Sequence, residues 1–238
     1  MIRAVLFDLG NTLVAYYPRT EFPVILRRCL RRCADVLRLS LNEEQLFERA
    51  WTLNKDQEDH AVHPLVDRLQ ALFASHLIFD EQTLEAACDA FLEPIFALAM
   101  IDPDAIGVLD SLRNRGFKTA IVSNTPWGSP AAPWRRHLAQ LGLLDRVDAT
   151  VFCMDVGFRK PHAAAFRRAL DFLAVSPAEA IFVGDEPHWD AIGARQAGLR
   201  PVLLCPSANE VPDHCVSIQR LEDVLEVVNG NITGTSVT

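Results

Sequence analysis

The sequence is poor in lysine. Lys55, Lys118 and Lys160 are the only three among 238 residues, against twenty arginines. Chemistry that needs an amine therefore has three candidates. Long hydrophobic runs are also absent. The first apolar run, Ala4 to Phe7, stops at Asp8. That is far short of the ~20 residues that cross a bilayer, and too short for a secretory signal core. Six cysteines are scattered with no C-x-x-C pair, which argues against a metal or disulfide framework. Cys29 and Cys33 stack on one helix face and read as small buried hydrophobes in a reducing cytosol. Positive charge is not in excess: 23 basic against 31 acidic residues give a net charge of −8. This balance argues against a broad nucleic-acid surface. The expectation is a cytoplasmic protein that binds neither nucleic acid nor membrane.

A chain of this length holds one domain with an insert, or two small domains. Short β-rich runs each stop at a polar residue. Val5–Phe7 stops at Asp8, Lys118–Val122 at Ser123-Asn124, and Ala180–Gly184 at Asp185. Thr150–Cys153 and Pro201–Cys205 are similar runs. Near-continuous apolar stretches of this length predict parallel strands buried on both faces. Helical stretches separate them: Pro103–Arg115, His162–Leu173, Asp190–Ala197 and Leu221–Val228. The alternation predicts a doubly wound, mainly parallel, Rossmann-like α/β sheet.

Residues 15–100 break the alternation. They read as four helices, Phe22–Leu39, Glu43–Leu53, Pro64–Leu77 and Glu81–Leu98. Ser40 with Glu43, and Asp80 before Glu81, supply helix starts. The predicted organisation is an α/β core of residues 1–14 and 101–238, split by an all-helical insert at 15–100. That insert begins a few residues past Asp8, where it can act as a lid.

Ligands of open parallel sheets bind beyond the carboxyl ends of the strands. Asp8, Ser123, Asn124 and Asp185 would all sit there, with Lys160 on the same rim. Gathering two carboxylates, a hydroxyl, an amide and an ammonium carries a desolvation cost that packing alone does not offset. The same set suits a metal and an anion.

In this order and on these elements, Asp8-Leu9-Gly10-Asn11-Thr12, Ser123-Asn124, Lys160-Pro161 and Gly184-Asp185 with Asp190 resemble the haloacid dehalogenase (HAD) superfamily. The helical insert resembles that family's cap. The resemblance implies that Asp8 is a nucleophile that forms an aspartyl-phosphate. It implies Mg²⁺ held by Asp8, the Gly10 carbonyl and Asp185. Ser123 and the Asn124 backbone N–H would bind phosphoryl oxygens, and Lys160 would neutralise charge on Asp8 and the phosphoryl group. Asp190 would orient Lys160 or the metal's waters, and Thr12 would help position the loop and its ligand. The implied activity is hydrolysis of a small phosphorylated metabolite.

One position departs from the family pattern. Family phosphatases usually carry a second Asp two residues after the nucleophile, as general acid and base; here it is Gly10. Such a group typically contributes about 10²–10⁴-fold. A slow or selective phosphatase follows, or an acid supplied by the insert, where Asp56, Glu58, Asp59, His60 and His63 cluster. A non-catalytic or weakly active protein that binds phosphate ligands is the alternative. Two further reactions within the family bear comparison. Phosphonatases carry a small residue at the Gly10 position and use a cap lysine, for which Lys55 is the sole candidate. Haloacid dehalogenases carry an aromatic residue there and usually lack an acid matching Asp185, although Trp189-Asp190 is similar to theirs. The stiff segment Thr125–Trp134 could wall the pocket or dock the insert. Arg27, Arg28, Arg31 and Arg32 form either a solvated face or a polyanion contact.

Overall fold

A computed structural model of the protein describes residues 1–40, 42–53, 60–73, 79–204, 211–212 and 214–232. Its centre is β1 (Ala4–Phe7), which is buried throughout. β4 (Lys118–Ser123) and β6 (Ala180–Gly184) flank it, both parallel to it. With β5 (Ala149–Phe152), β7 (Arg200–Leu204) and β8 (Val216–Ile218) they form one six-stranded parallel sheet in the order β5-β4-β1-β6-β7-β8. Successive side chains of a strand point to opposite faces. Val5 and Phe7 accordingly enter one core, and Ala4 and Leu6 the other. α5 (Ala105–Asn114), α6 (Ala131–Gln140) and α10 (Val224–Asn229) cover the first face. α8 (Ala164–Leu173) and α9 (Gly193–Gln196) cover the second. α7 (Cys153–Val156) is a single turn after β5. The fold is the doubly wound α/β arrangement expected. No helix among the described residues is long and apolar enough to cross a membrane.

Between β2 (Val14–Ala15) and β3 (Met100–Ile101) the α-helices among the described residues are α1 (Phe22–Val36), α2 (Glu43–Leu53), α3 (Leu65–Phe73) and α4 (Glu81–Phe96). β2 and β3 pair antiparallel, Val14 opposite Ile101 and Ala15 opposite Met100. The outgoing and returning chain thus run side by side. Cys29 and Cys33 of α1 and Cys88 of α4 are buried, and the Cys33 thiol donates to the Ala87 carbonyl at 3.3 Å. Arg27, Arg31 and Arg32 are paired with Glu44, Glu43 and Glu93 on an exposed face. The Arg-rich group is therefore largely a salt-bridged surface.

Several local expectations need correction. Asn42, not Ser40, starts α2: its Oδ1 accepts from the Gln45 N–H at 3.1 Å, because it directly precedes Glu43. Asp80 does start α4, accepting from the Thr83 N–H at 2.7 Å. The helix expected over Asp190–Ala197 begins instead as a wide turn over Pro187–Ile192. Glu186 caps that turn through the Trp189 N–H at 2.8 Å. Cys153 leaves its strand and opens α7.

The Thr125–Trp134 segment both docks the insert and walls a cavity. Trp127 stacks on Phe91 of α4, with centroids 5.6 Å apart and planes 5° apart. Gly128 has φ +67°, and a Cβ there would lie 2.1 Å from the His63 carbonyl oxygen. Gly128→Ala is expected to destabilise the protein by about 3 kcal/mol, from overpacking and left-handed backbone strain. Urea unfolding checks it; an unchanged midpoint would contradict the contact.

Candidate active site

β4, β1 and β6 are adjacent, so Ser123, Asp8 and Asp185 emerge side by side at one sheet edge. Neighbouring strands are about 4.8 Å apart. The Asp8 N–H is tied to the Val183 carbonyl at 2.8 Å. The chain then turns tightly: the Leu9 carbonyl accepts from the Leu13 and Val14 N–H groups, both at 3.0 Å. Thr12 is buried inside this turn, and its hydroxyl has no hydrogen-bond partner.

Lys160 sits at the centre, 3% exposed. Its Nζ donates to Asp8 Oδ1 at 2.6 Å and to Asp190 Oδ1 at 2.7 Å. Burial pulls the ammonium pKa down, but the Asp190 and Asp8 charges outweigh this and hold it above its usual value. The Asn124 side chain fixes Lys160 from behind. Its Nδ2 donates to the Lys160 carbonyl at 3.2 Å, and its Oδ1 accepts from the Lys160 N–H at 2.8 Å. The sequence suggested only the Asn124 backbone as a ligand; this clamp was not legible from a dipeptide.

Asp190 is anchored at both oxygens, with Oδ2 accepting from the Glu186 N–H at 3.0 Å. It fits because residue 184 is glycine: a Cβ there would lie 2.3 Å from Asp190 Oδ2. Burial raises the Asp190 carboxyl pKa, against the Lys160 charge. Asp185 differs. Burial, then the Asp8 and Asp190 charges, push it up to about 7. Its Oδ1 is buried with no hydrogen-bond partner, and the nearest cation, Arg19 Nη2, is 3.9 Å away.

Asp8, Asp185 and Asp190 each offer an oxygen within 4.8 Å of the others. Three carboxyl groups crowd one hydrogen-bonded ammonium, with Arg19 only at 3.9 Å from Asp185. Asp190 is already committed to Lys160 and the Glu186 N–H, so Asp8 and Asp185 remain as ligands. An all-oxygen set with an orphaned buried carboxylate oxygen fits a hard divalent cation such as Mg²⁺.

Above these groups lies a cavity of about 300 Å³. Asp8, Gly10, Ser123, Asn124, Lys160 and Asp190 line it. It is also lined by residues the sequence did not point to, among them Tyr16, Tyr17, Phe22 and Ile95. At the mouth Arg19 pairs with Glu186 at 3.0 Å and lies 4.4 Å over the Trp189 ring. His60 and His63 are not among the lining residues. Their carbonyls instead receive the Arg159 N–H at 2.8 Å and Arg68 Nε at 3.2 Å. Lys55, Asp56, Glu58 and Asp59 lie outside the described residues.

A doubly wound sheet with clustered carboxylates and a buried lysine at its carboxyl edge defines an α/β fold with a polar, ligand-ready site. The family model for haloacid dehalogenase-like hydrolases matches residues 2–198. The chain belongs to that family. It is 29% identical to a glyceraldehyde 3-phosphate phosphatase of Methanopyrus kandleri, over 96% of this chain and 97% of that one. It is 30% identical to a phosphoglycolate phosphatase of Rhodospirillum rubrum, over 86% and 80%. A 2-haloacid dehalogenase of Pseudomonas syringae has the same fold, with TM-score 0.69 and 23% identity over 97% and 99%.

Proposed function

We propose that the chain is a Mg²⁺-dependent phosphatase, hydrolysing a small phosphate monoester through an aspartyl-phosphate on Asp8. Asp185 carries this reading. Its buried Oδ1 accepts no hydrogen bond and meets only the distant Arg19 at 3.9 Å, beside a second buried carboxylate, which suits a closer cation. Haloacid dehalogenases usually lack an acid at that position. The phosphatase names of the two curated relatives support the same choice.

In this reading Ser123 and the Asn124 N–H hold the phosphoryl oxygens, while Thr12, buried in the turn and not lining the cavity, serves to position the loop rather than to bind phosphate. An Asp8 carboxylate oxygen attacks phosphorus and the ester P–O bond breaks. Lys160, oriented by Asp190, offsets the charge gathering on Asp8 and the phosphoryl group. Mg²⁺, held by Asp8, the Gly10 carbonyl and Asp185, would reduce the repulsion between the two anions. Water then cleaves the acyl phosphate and restores Asp8. We take residues 15–100 as a cap that selects the substrate, and 1–14 with 101–238 as the core. The cytosolic setting expected from the sequence belongs to the same proposal.

A screen of small phosphate esters with Mg²⁺ tests the reading. Turnover of at least one supports it. None across the series, with the fold intact, favours a phosphate-ligand-binding protein instead. Metal binding has its own readout. Mg²⁺ at a hundred times its dissociation constant should stabilise by about 2.7 kcal/mol. That is roughly 5–10 °C in Tm for a protein of this size. Asp185→Asn should lose this rise; a rise that survives would place the cation elsewhere.

A further inference from the structure

With Gly10 in place of an acid, something else must meet the departing alcohol. The cavity contains a group with the right chemistry. Tyr16 stands just after β2, where the chain leaves the core. It lines the same cavity as Asp8, Ser123 and Lys160. Its hydroxyl is buried and has no hydrogen-bond partner. An unpaired buried hydroxyl costs about 1–3 kcal/mol, and native proteins rarely leave one without a reason. A substrate oxygen would remove that cost.

The ring is held firmly. Trp134 of α6 meets it edge-on, with centroids 5.7 Å apart and planes at 81°. His137, one helical turn on, lies 5.9 Å away. Trp134 is itself fixed, its Nε1 donating to Ser129 Oγ at 3.0 Å and its ring meeting Phe96 at 4.9 Å. Tyr16 therefore belongs to the rigid wall. Burial, and next the Asp8 charge, raise its pKa well above the usual phenol value. The hydroxyl consequently stays protonated and available as a donor at every working pH.

We propose that the Tyr16 hydroxyl is the proton donor to the leaving-group oxygen, filling the role vacated at Gly10. The proposal rests on the phosphatase reading above. In the first step the Asp8 O–P bond forms, the ester P–O bond breaks, and the Tyr16 proton passes to the departing alkoxide. In the second, water attacks the aspartyl-phosphate and returns a proton to the tyrosinate. Tyr16 and the Asp8 carboxylate are both regenerated. An alkoxide gains most from a weak acid of this kind, because it is a still stronger base than the phenolate. A leaving group already stable as an anion gains little.

The test is Tyr16→Phe, which removes one oxygen. Wild type and variant are compared on an alkyl phosphate and on p-nitrophenyl phosphate, with Mg²⁺. The alkyl ester should lose about 10²-fold in kcat. The aryl ester should change less than about threefold, having little need of the acid. Gly10→Asp should restore alkyl turnover in the Tyr16→Phe background, since a Cβ at residue 10 meets nothing within 4 Å. Tm should hold or rise, because no hydrogen bond is lost. Equal losses on both esters, or no loss on either, would overturn the role of Tyr16 while leaving the phosphatase reading in place. A Tm falling by several degrees would mean the hydroxyl is bonded in the folded protein, and would overturn it too. Absence of turnover in the wild type would sink both ideas.

Discussion

Asp8→Asn is expected to abolish turnover, with a loss on the order of 10⁴-fold or more in kcat/KM. An amide oxygen is a poor nucleophile, and no other described carboxylate can replace it. Asp190 is held at both oxygens by Lys160 and the Glu186 N–H. Asp185 leaves β6 rather than the central strand. The variant should nevertheless fold well. Wild type crowds three carboxylates around one ammonium. Removing one charge relieves repulsion, so metal-free Asp8→Asn should be at least as stable as wild type. A gain of stability with a loss of activity is the usual trade at a strained site. Steady-state kinetics and thermal unfolding on the same preparation check both halves. Residual activity above a few per cent, free of wild-type contamination, would remove Asp8 from the nucleophile's role.

Lys160→Met is expected to fail in both respects. Its ammonium is the only cation that hydrogen-bonds to Asp8 and Asp190 among the described contacts, and it is fully enclosed. Methionine nearly matches the volume but leaves buried carboxylates without their partner. Breaking a buried ion pair from one side typically costs about 3–5 kcal/mol. Metal-free variant protein should show that loss in urea. Turnover should fall on the order of 10³-fold or more, since the phosphoryl charge loses its counter-ion. Mg²⁺ should recover part of the stability and little of the rate. Stability within 1 kcal/mol of wild type would mean that the carboxylates find other partners.

Much of this was legible in the residues. β1, β4 and β6 announce themselves because each is an apolar run buried on both faces and ended by a polar residue. Asp8, Ser123 and Asp185 follow directly from those ends. The role of Lys160 came from the resemblance of Lys160-Pro161 to a family motif; its two carboxylate partners came only with the fold. What was not legible depends on long-range geometry. Two-residue strands such as β2 and β3 have no periodicity to read. β8, Val-Ser-Ile, is hardly longer. Tyr16 carried no sequence signal, and only the folded chain brings it to the wall of the carboxylates' cavity. Gly184 carries a real signal, but its reason is the Asp190 side chain six residues on. The Ser40 error is of another kind: Ser40 and Asn42 are both good helix starters, and the one next to Glu43 prevailed.

The pairing of Ala15 with Met100 has a consequence for how this protein could be rebuilt. Seen from the sheet, everything between those residues is one closed loop whose ends already touch. The entropy of closing a loop grows only with the logarithm of its length. Shortening the excursion to a tight turn, or exchanging it for a foreign one of different size, would therefore leave the strand order untouched. Tyr16 would have to be carried along, because it stands on the first step of the excursion while its support comes from α6. The chain is thus modular in its topology but not in its chemistry: a transplant that begins one residue too early would take the proposed proton donor with it.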